Sequence, residues 1–170
     1  MRETAFTHIR PEQLQGNVFD DIGKKWMLIA AGTQDKLNMM TASWGAMGVI
    51  WNKPVAILFV RPQRYTREFI DREEIFTCSF FGEEYRDALN FCGKRSGRDC
   101  DKVRETGLTP VSGEKGGVYF EQAQQVLVCR KLYAGAIRPE EFVLPELLSN
   151  YPAEDYHCVY FGEMIDILRK

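Results

Sequence analysis

The sequence predicts a mainly β domain whose strands form a closed or nearly closed sheet, with a few short helices. Three observations carry this. About seven short apolar or alternating runs are separated by Gly, Pro, Asn and Asp. The helix-period segments are few and short. Nothing in the chain reads as the strand–helix alternation of a doubly wound sheet. At 170 residues, 45% hydrophobic and 27% charged, the chain is long enough for one domain with a real core, taken as spanning 1–170.

In chain order, residues 1–22 read as a loop and lead-in, with Pro11 at the first position of a turn. Met1-Arg2-Glu3-Thr4 lacks the apolar stretch of a secretory signal. Trp26–Ala31 is a continuous apolar run ending at Gly32 and is expected as a central strand. Thr33–Lys36 turns the chain into a strand beginning Asn38-Met39-Met40-Thr41-Ala42-Ser43-Trp44 and continuing through Ala46–Trp51, with a turn at Asn52-Lys53-Pro54. Val55–Val60, the most apolar run, is expected to be buried on both faces. Thr66 is expected to cap a helix over Arg67–Arg72, with Tyr65 and Ile70 as its hydrophobic staple.

Ile75–Phe81 alternates, with Phe76, Cys78 and Phe80 on one face and Thr77 and Ser79 on the other. Tyr85, Ala88, Leu89 and Cys92 follow helical spacing. A basic, glycine-punctuated loop, Gly93–Arg98, precedes a helix expected from about Asp99 to Thr106, ended by Gly107. Val118–Phe120 and Val126–Tyr133 are expected strands, Pro139–Phe142 a helical turn, and His157–Leu168 a strand with Val159, Phe161, Ile165 and Ile167 on one face.

A net charge of −2 supplies no global basic field for nucleic acid, and no apolar run approaches the roughly 20 residues of a membrane-spanning helix. Together with the N-terminus these point to the cytoplasm. The cysteines, Cys78, Cys92, Cys100, Cys129 and Cys158, are odd in number and never form C-x-x-C, so reduced thiols are expected. The two histidines, His8 and His157, have no neighbour at metal-ligand spacing, so no metal is expected. The sequence contains neither G-x-G-x-x-G after a strand, nor a P-loop, nor a G-x-S-x-G elbow.

On an extended backbone the Thr41 and Ser43 hydroxyls share one side, while Ala42 and Trp44 share the other. Such a strand either lines a planar heteroaromatic ligand with hydroxyls, amides and an indole, or is a half-buried strand with one buried Trp. Arg61, Arg64 and Thr66 before a helix start, and Lys94-Arg95-Ser96-Gly97-Arg98 before another, are two candidate anion sites. The alternative is that their charges only solvate loops. His157 is either a catalyst or ligand contact, or a hydrogen-bonded structural histidine.

Asn38–Gly45, Pro54 before an apolar strand, Arg64-Tyr65-Thr66 before a short helix, and Phe76-Thr77-Cys78-Ser79 together resemble the flavin reductase-like family of FMN-binding split barrels, most of all its flavoredoxin branch. The likeness runs from about Trp26 to Lys102 and resumes near His157–Ile165. It implies a Greek-key split β-barrel, a homodimer, and FMN bound near the subunit interface.

By position, the resemblance sets Asn38, Met40, Thr41, Ala42, Ser43 and Trp44 along the isoalloxazine, with amides near Thr41–Ser43 toward its N5 and O4. It gives Arg64, Tyr65 and Thr66 to the phosphate, joined by Lys94, Ser96, Gly97 and Lys102 beside Asp101. The family's terminal histidine corresponds to His157, at the substrate side, although Tyr156 stands where Asp often precedes it. No side chain is assigned as catalytic, because the flavin carries the chemistry. The implied function passes reducing equivalents from NAD(P)H through FMN to an acceptor. The alternative is an electron carrier with tightly held FMN and a redox protein partner.

Overall fold

The structure, a computed structural model, describes residues 5–170; Met1–Thr4, where a leader was sought, lie outside them. The chain runs β1 (Thr7–His8), α1 (Val18–Asp20) widening into the turn Asp21–Lys25, β2 (Met27–Gly32), β3 (Leu37–Ala42), β4 (Gly45–Ile50), β5 (Lys53–Val60), α2 (Tyr65–Arg72), β6 (Ile75–Phe80), α3 (Arg86–Lys94), α4 (Lys102–Thr106), β7 (Pro110–Ser112), β8 (Val118–Phe120), β9 (Gln125–Ala136) and β10 (Cys158–Arg169).

The main sheet is antiparallel throughout, in the order β3-β2-β6-β9-β10-β5-β4, with β1 added on β10. Its two ends, β3 and β4, are joined only by Ser43 and Trp44. Three Cα steps span at most roughly 11 Å, so the two edges must come together there. The sheet therefore curls into a barrel, split between β3 and β4, and the non-consecutive pairs β2–β6, β6–β9 and β10–β5 make it a Greek key.

Two cores follow from the curl. Inside the barrel, Ile29, Met40, Leu58, Phe76, Cys78 and Tyr160 pack together. Outside it, Leu28, Met39 and Val128 pack under Leu89 and Cys92 of α3 and Val118 and Phe120 of β8. Strands between two cores are apolar on both faces, which is why β2 reads as an unbroken apolar run with every residue buried. The same covering buries Thr77 and Ser79 of β6, and Thr77 Oγ1 donates to Val118 O at 2.6 Å.

Several local expectations are corrected. The strand through Asn38–Trp51 breaks at Ser43–Trp44, because the chain there crosses from one edge of the sheet to the other. The following turn centres on Trp51 and Asn52, with φ of 52° and 57°, so Lys53 and Pro54 already belong to β5. Pro54 is tolerated because β10 pairs with β5 only from Val55 onward. In β5 only Val55, Ala56, Leu58 and Val60 are buried; Ile57 and Phe59 are half-buried because no helix covers that face next to edge strand β4.

Arg64, not Thr66, caps α2, and Thr66 at the second helical position turns into the interior. Tyr65 meets Phe69 edge-on at 5.1 Å, so the expected staple with Ile70 does not form. α4 starts at Lys102 rather than near Asp99: Asp101 caps it by accepting from Arg104 N at 3.1 Å, and Gly107 ends it at φ 67°. In β10, register irregularities at Phe161/Gly162 and Met164/Asp166 shift the phase. Tyr160, Met164 and Ile167 face inward, and Val159 and Phe161 stay half-buried. Among the described residues no helix is long and apolar enough to cross a membrane.

Candidate functional site

Where the barrel splits, β3 pairs only with β2 and its other edge is open. Lys102 Nζ donates to Met39 O on that edge at 2.7 Å. A strand residue's N–H and C=O point to the same side and alternate residues repeat it, so the Thr41 amide projects from the open edge too. The edge is flanked by α3, whose Leu89 carbonyl accepts from Thr41 Oγ1 at 2.6 Å.

The last turn of α3 gathers cations. Arg64 donates to Gly93 O at 2.7 Å and Cys92 O at 3.2 Å, and Lys102 donates to Cys92 O at 2.9 Å. Unpaired carbonyls at a helix C-terminus carry partial negative charge and hold cations in this way. Burial pushes the Arg64 guanidinium down from its ordinary range. Lys102 is 5% exposed, and burial pushes its ammonium down to about 8, the Cys92 thiol opposing and the Arg64 cation adding to the fall. Burial likewise pushes the Cys92 thiol up to about 11.

A cleft of about 280 Å³ lies at the end of β3. It brings together Met40, Thr41, Ala42, Ser43, Trp44, Arg61, Arg64 and His157 from the sequence reading, and adds Phe59. Trp44 is 45% exposed rather than part of the core, since it stands in the crossover and not in a strand. Its indole meets the His157 ring at 5.0 Å and 44°. His157 is 6% exposed, its Nδ1 is 2.8 Å from the Tyr151 hydroxyl, and Phe59 meets its ring edge-on. Burial pushes the imidazole down to about 4, and the Arg61 cation adds to this. Arg61 is itself held by Asp155 at 2.7 Å and Asn150 O at 3.0 Å, with its guanidinium over the Tyr151 ring.

The remaining predicted residues collect elsewhere. Asn38, Tyr65, Gly97 and Lys102 line a second cleft of about 400 Å³. Asn38 Nδ2 donates to Thr66 Oγ1 at 2.9 Å, both buried. Gly97 runs so close to this pair that a Cβ would overlap Asn38 Oδ1. The basic loop does not form one nest. Ser96 Oγ accepts from Arg98 N at 3.2 Å, while the Arg98 side chain pairs with Glu68 and lies over the Tyr65 ring. Lys94 and Arg95 are exposed and form no ion pair among the described residues. Sequence reading missed Tyr151 and Phe59. Phe59 had a signal, as the last aromatic of an apolar strand; Tyr151, in an irregular loop, had none.

An antiparallel Greek-key split barrel, with an open strand edge beside an aromatic-walled cleft, defines the class. The sequence matches the family model described as flavin reductase like domain over residues 19–167, and the chain belongs to that family of flavin oxidoreductase domains. Similar solved structures include flavoredoxin from Methanosarcina acetivorans, at 22% identity and TM-score 0.67, covering 86% of this chain and 68% of that one. Flavoredoxin of Desulfovibrio vulgaris (Miyazaki F) is similar at 23% identity and TM-score 0.66, covering 84% and 67%. An FMN-binding domain of a flavin reductases-like enzyme from Shewanella baltica OS155 has TM-score 0.72 at 15% identity, covering 99% and 79%. At these identities the structures speak for the fold. No curated protein matches the sequence.

Proposed function

We propose that residues 1–170 form a single domain that binds FMN and passes reducing equivalents through it to an acceptor. The observation that carries this is the open β3 edge at the barrel split. Its Thr41 amide faces outward beside Ser43, Trp44 and His157, so amide donors and flat rings share one cleft. Bound there, FMN would supply hydride and single-electron transfer. Amides aimed at the ring edge stabilise negative charge gained on reduction. Trp44 and His157 wall the ring from water. In this reading Asn38, Met40, Thr41, Ala42, Ser43 and Trp44 hold the ring. Tyr65, Thr66, Ser96, Gly97 and the exposed Lys94 serve the phosphate, while Arg64 and Lys102 serve it indirectly by fixing α3.

NAD(P)H is the proposed reductant. A carrier that takes electrons from a redox protein is the second reading, and one feature favours it. Arg61 and Arg64 are both engaged within the chain, which among the described residues leaves the cleft lining no free cation for a dinucleotide pyrophosphate. Two measurements test this. A yellow preparation that releases FMN on heating supports the flavin reading, and a colourless protein that does not take up FMN in dialysis refutes it. Anaerobic mixing with NADH or NADPH then bleaches the flavin if the chain is a reductase. If only a ferredoxin-like donor bleaches it, the chain is a carrier.

A homodimer is proposed on the unpaired edge of β4, which carries Val49 (77% exposed) and runs into the turn at Trp51 (57% exposed). Such an edge is normally covered. Light scattering at micromolar concentration tests it, and a monomer refutes it. Five free thiols suit the reducing cytoplasm proposed for it.

A further inference from the structure

A cavity of about 700 Å³ opens beside the flavin-side cleft and shares Ser43, Trp44 and Phe59 with it. Its walls come from three stretches distant in sequence: the turn at Val18–Gly23, the start of β4, and the loop from Ile137 to Tyr151. Phe19, Trp44, Met47, Phe142 and Leu147 supply flat or apolar surface, and no side chain in the lining carries a charge. The volume lies within the roughly 300–1,000 Å³ of small-molecule sites. Burying a phosphate or carboxylate in such a lining would cost its full desolvation with no cation to offset it. The two arginines next door are already engaged, Arg61 by Asp155 and Arg64 by the carbonyls of α3. The cavity therefore suits an uncharged ligand.

Beside Ser43 and Asn150, its lining offers a polar handle at Tyr151. Tyr151 lines the cavity, and its hydroxyl has a single partner among the described hydrogen bonds, His157 Nδ1 at 2.8 Å. A buried hydroxyl gives its proton to an acceptor where one is within reach. If Nδ1 were the donor instead, the Tyr151 proton would have no acceptor. Tyr151 therefore donates to Nδ1, and the neutral imidazole carries its own proton on Nε2. Among the described residues Nε2 has no hydrogen-bond partner, and the imidazole lines the flavin-side cleft, which meets the cavity at Ser43, Trp44 and Phe59, with its ring packed against the Trp44 indole. A donor next to a flat ring, where an uncharged cavity meets the flavin-side cleft, matches a carbonyl oxygen on a planar ring system.

We propose that this cavity takes the oxidising substrate, an uncharged planar aromatic or quinoid carbonyl compound whose ring lies on Trp44 and whose oxygen accepts from His157 Nε2. Tyr151 is the positioning residue that fixes the imidazole tautomer. The inference rests on the flavin reading of the adjoining cleft. In balance, the quinone gains a hydride from reduced FMN, which is thereby oxidised, and a proton from water, giving the hydroquinone.

The test uses full-length protein reconstituted with FMN, with 2-methyl-1,4-naphthoquinone and 1,4-naphthoquinone-2-sulfonate as neutral and charged probes. Calorimetry should show saturable binding of the neutral probe, at least about tenfold tighter than the sulfonate. Leu147→Glu and Phe19→Glu place charge in the cavity at exposed positions the fold tolerates. They should weaken the neutral probe about tenfold and leave FMN affinity unchanged. Tyr151→Phe should raise the KM for the neutral quinone more than it lowers kcat. It should also shift the imidazole 15N signals of His157 away from a single Nε2–H tautomer, a change a merely structural role would not produce.

Equal affinity for the two probes, or no saturable binding while FMN is bound, overturns the inference and leaves the flavin reading standing. Failure to bind FMN overturns both. If the glutamate variants turn a dimer into a monomer and quinone binding is unchanged, the cavity belongs to a second copy of the chain and the inference is wrong.

Discussion

Arg64 and Lys102 meet on one oxygen: the Cys92 carbonyl accepts from Arg64 Nη2 at 3.2 Å and from Lys102 Nζ at 2.9 Å. Two like charges converge because the unpaired carbonyls at the end of α3 concentrate negative potential there. Each cation holds a second carbonyl, Arg64 that of Gly93 in the same helix end and Lys102 that of Met39 on the open edge of β3. The pair is a clamp. It fixes the helix that flanks the open edge of β3, so residues that the family resemblance gives to the cofactor act here first on the protein itself.

Removing either arm takes a donor from one carbonyl that the other cannot reach, Gly93 O for Arg64 and Met39 O for Lys102. Arg64→Ala and Lys102→Met should each lower stability by about 1–3 kcal/mol in urea unfolding, and FMN affinity should fall by about as much. Because either cation alone still donates to the Cys92 oxygen, and each single removal already relieves the repulsion between them, the double variant should lose more than the sum. If Arg64→Ala leaves stability unchanged and weakens only FMN, Arg64 belongs to the phosphate and not to a clamp.

The two histidines should titrate on opposite sides of the ordinary value. Burial takes His157 down to about 4, while the hydrogen bond and charge of Asp166 raise exposed His8. For His157 the unfolded chain binds more protons between about 6.5 and 4. Its stabilising contribution is therefore complete above about 6.5 and is lost as pH falls through that window. His8 behaves oppositely, contributing fully below 6.5 and losing that contribution as pH rises through its raised folded value. Carbon-bound imidazole proton shifts followed from pH 4 to 8 check both. A His157 midpoint near 6.5 would mean that the imidazole is open to water, and its tautomer would then not be fixed.

The strand content was legible because its signals are local. The unbroken apolar run at Trp26–Ala31 reflects a strand between two cores, and Phe76, Cys78 and Phe80 line the barrel interior as their alternation says. The break at Ser43–Trp44 was not legible, since it is set by where the two sheet edges meet and not by those residues. The phase of β10 was lost to irregularities that depend on the β9 register. At the site, the residue types of Arg64 and Lys102 were visible, but their acceptors are backbone carbonyls, which side-chain identity does not display. Of the His157 environment, Trp44 and Arg61 could be read but not the residue that holds the imidazole. Its partner Tyr151 sits six positions away in a loop without periodicity.

Gly97 offers the sharpest test of how the phosphate-side residues are arranged. Its backbone lies against the Asn38 carboxamide, and that carboxamide donates to Thr66 Oγ1 at 2.9 Å in the interior. Any Cβ at 97 would overlap Asn38 Oδ1, and Asn38 is too deeply buried to swing into solvent. Gly97→Ala should therefore push the side chain off Thr66, leave a buried amide and hydroxyl unpaired, and destabilise the fold by about 1–3 kcal/mol. Asn38→Ala removes the obstacle as well as the hydrogen bond. Adding Gly97→Ala to that background should then cost far less than it does alone, a coupling that a double-mutant cycle reads directly. A flavin held by this loop should follow the same pattern in its dissociation constant. Were Gly97→Ala as stable as the wild type, the loop would be free to step away from Asn38, and its close approach would carry no weight in shaping the site.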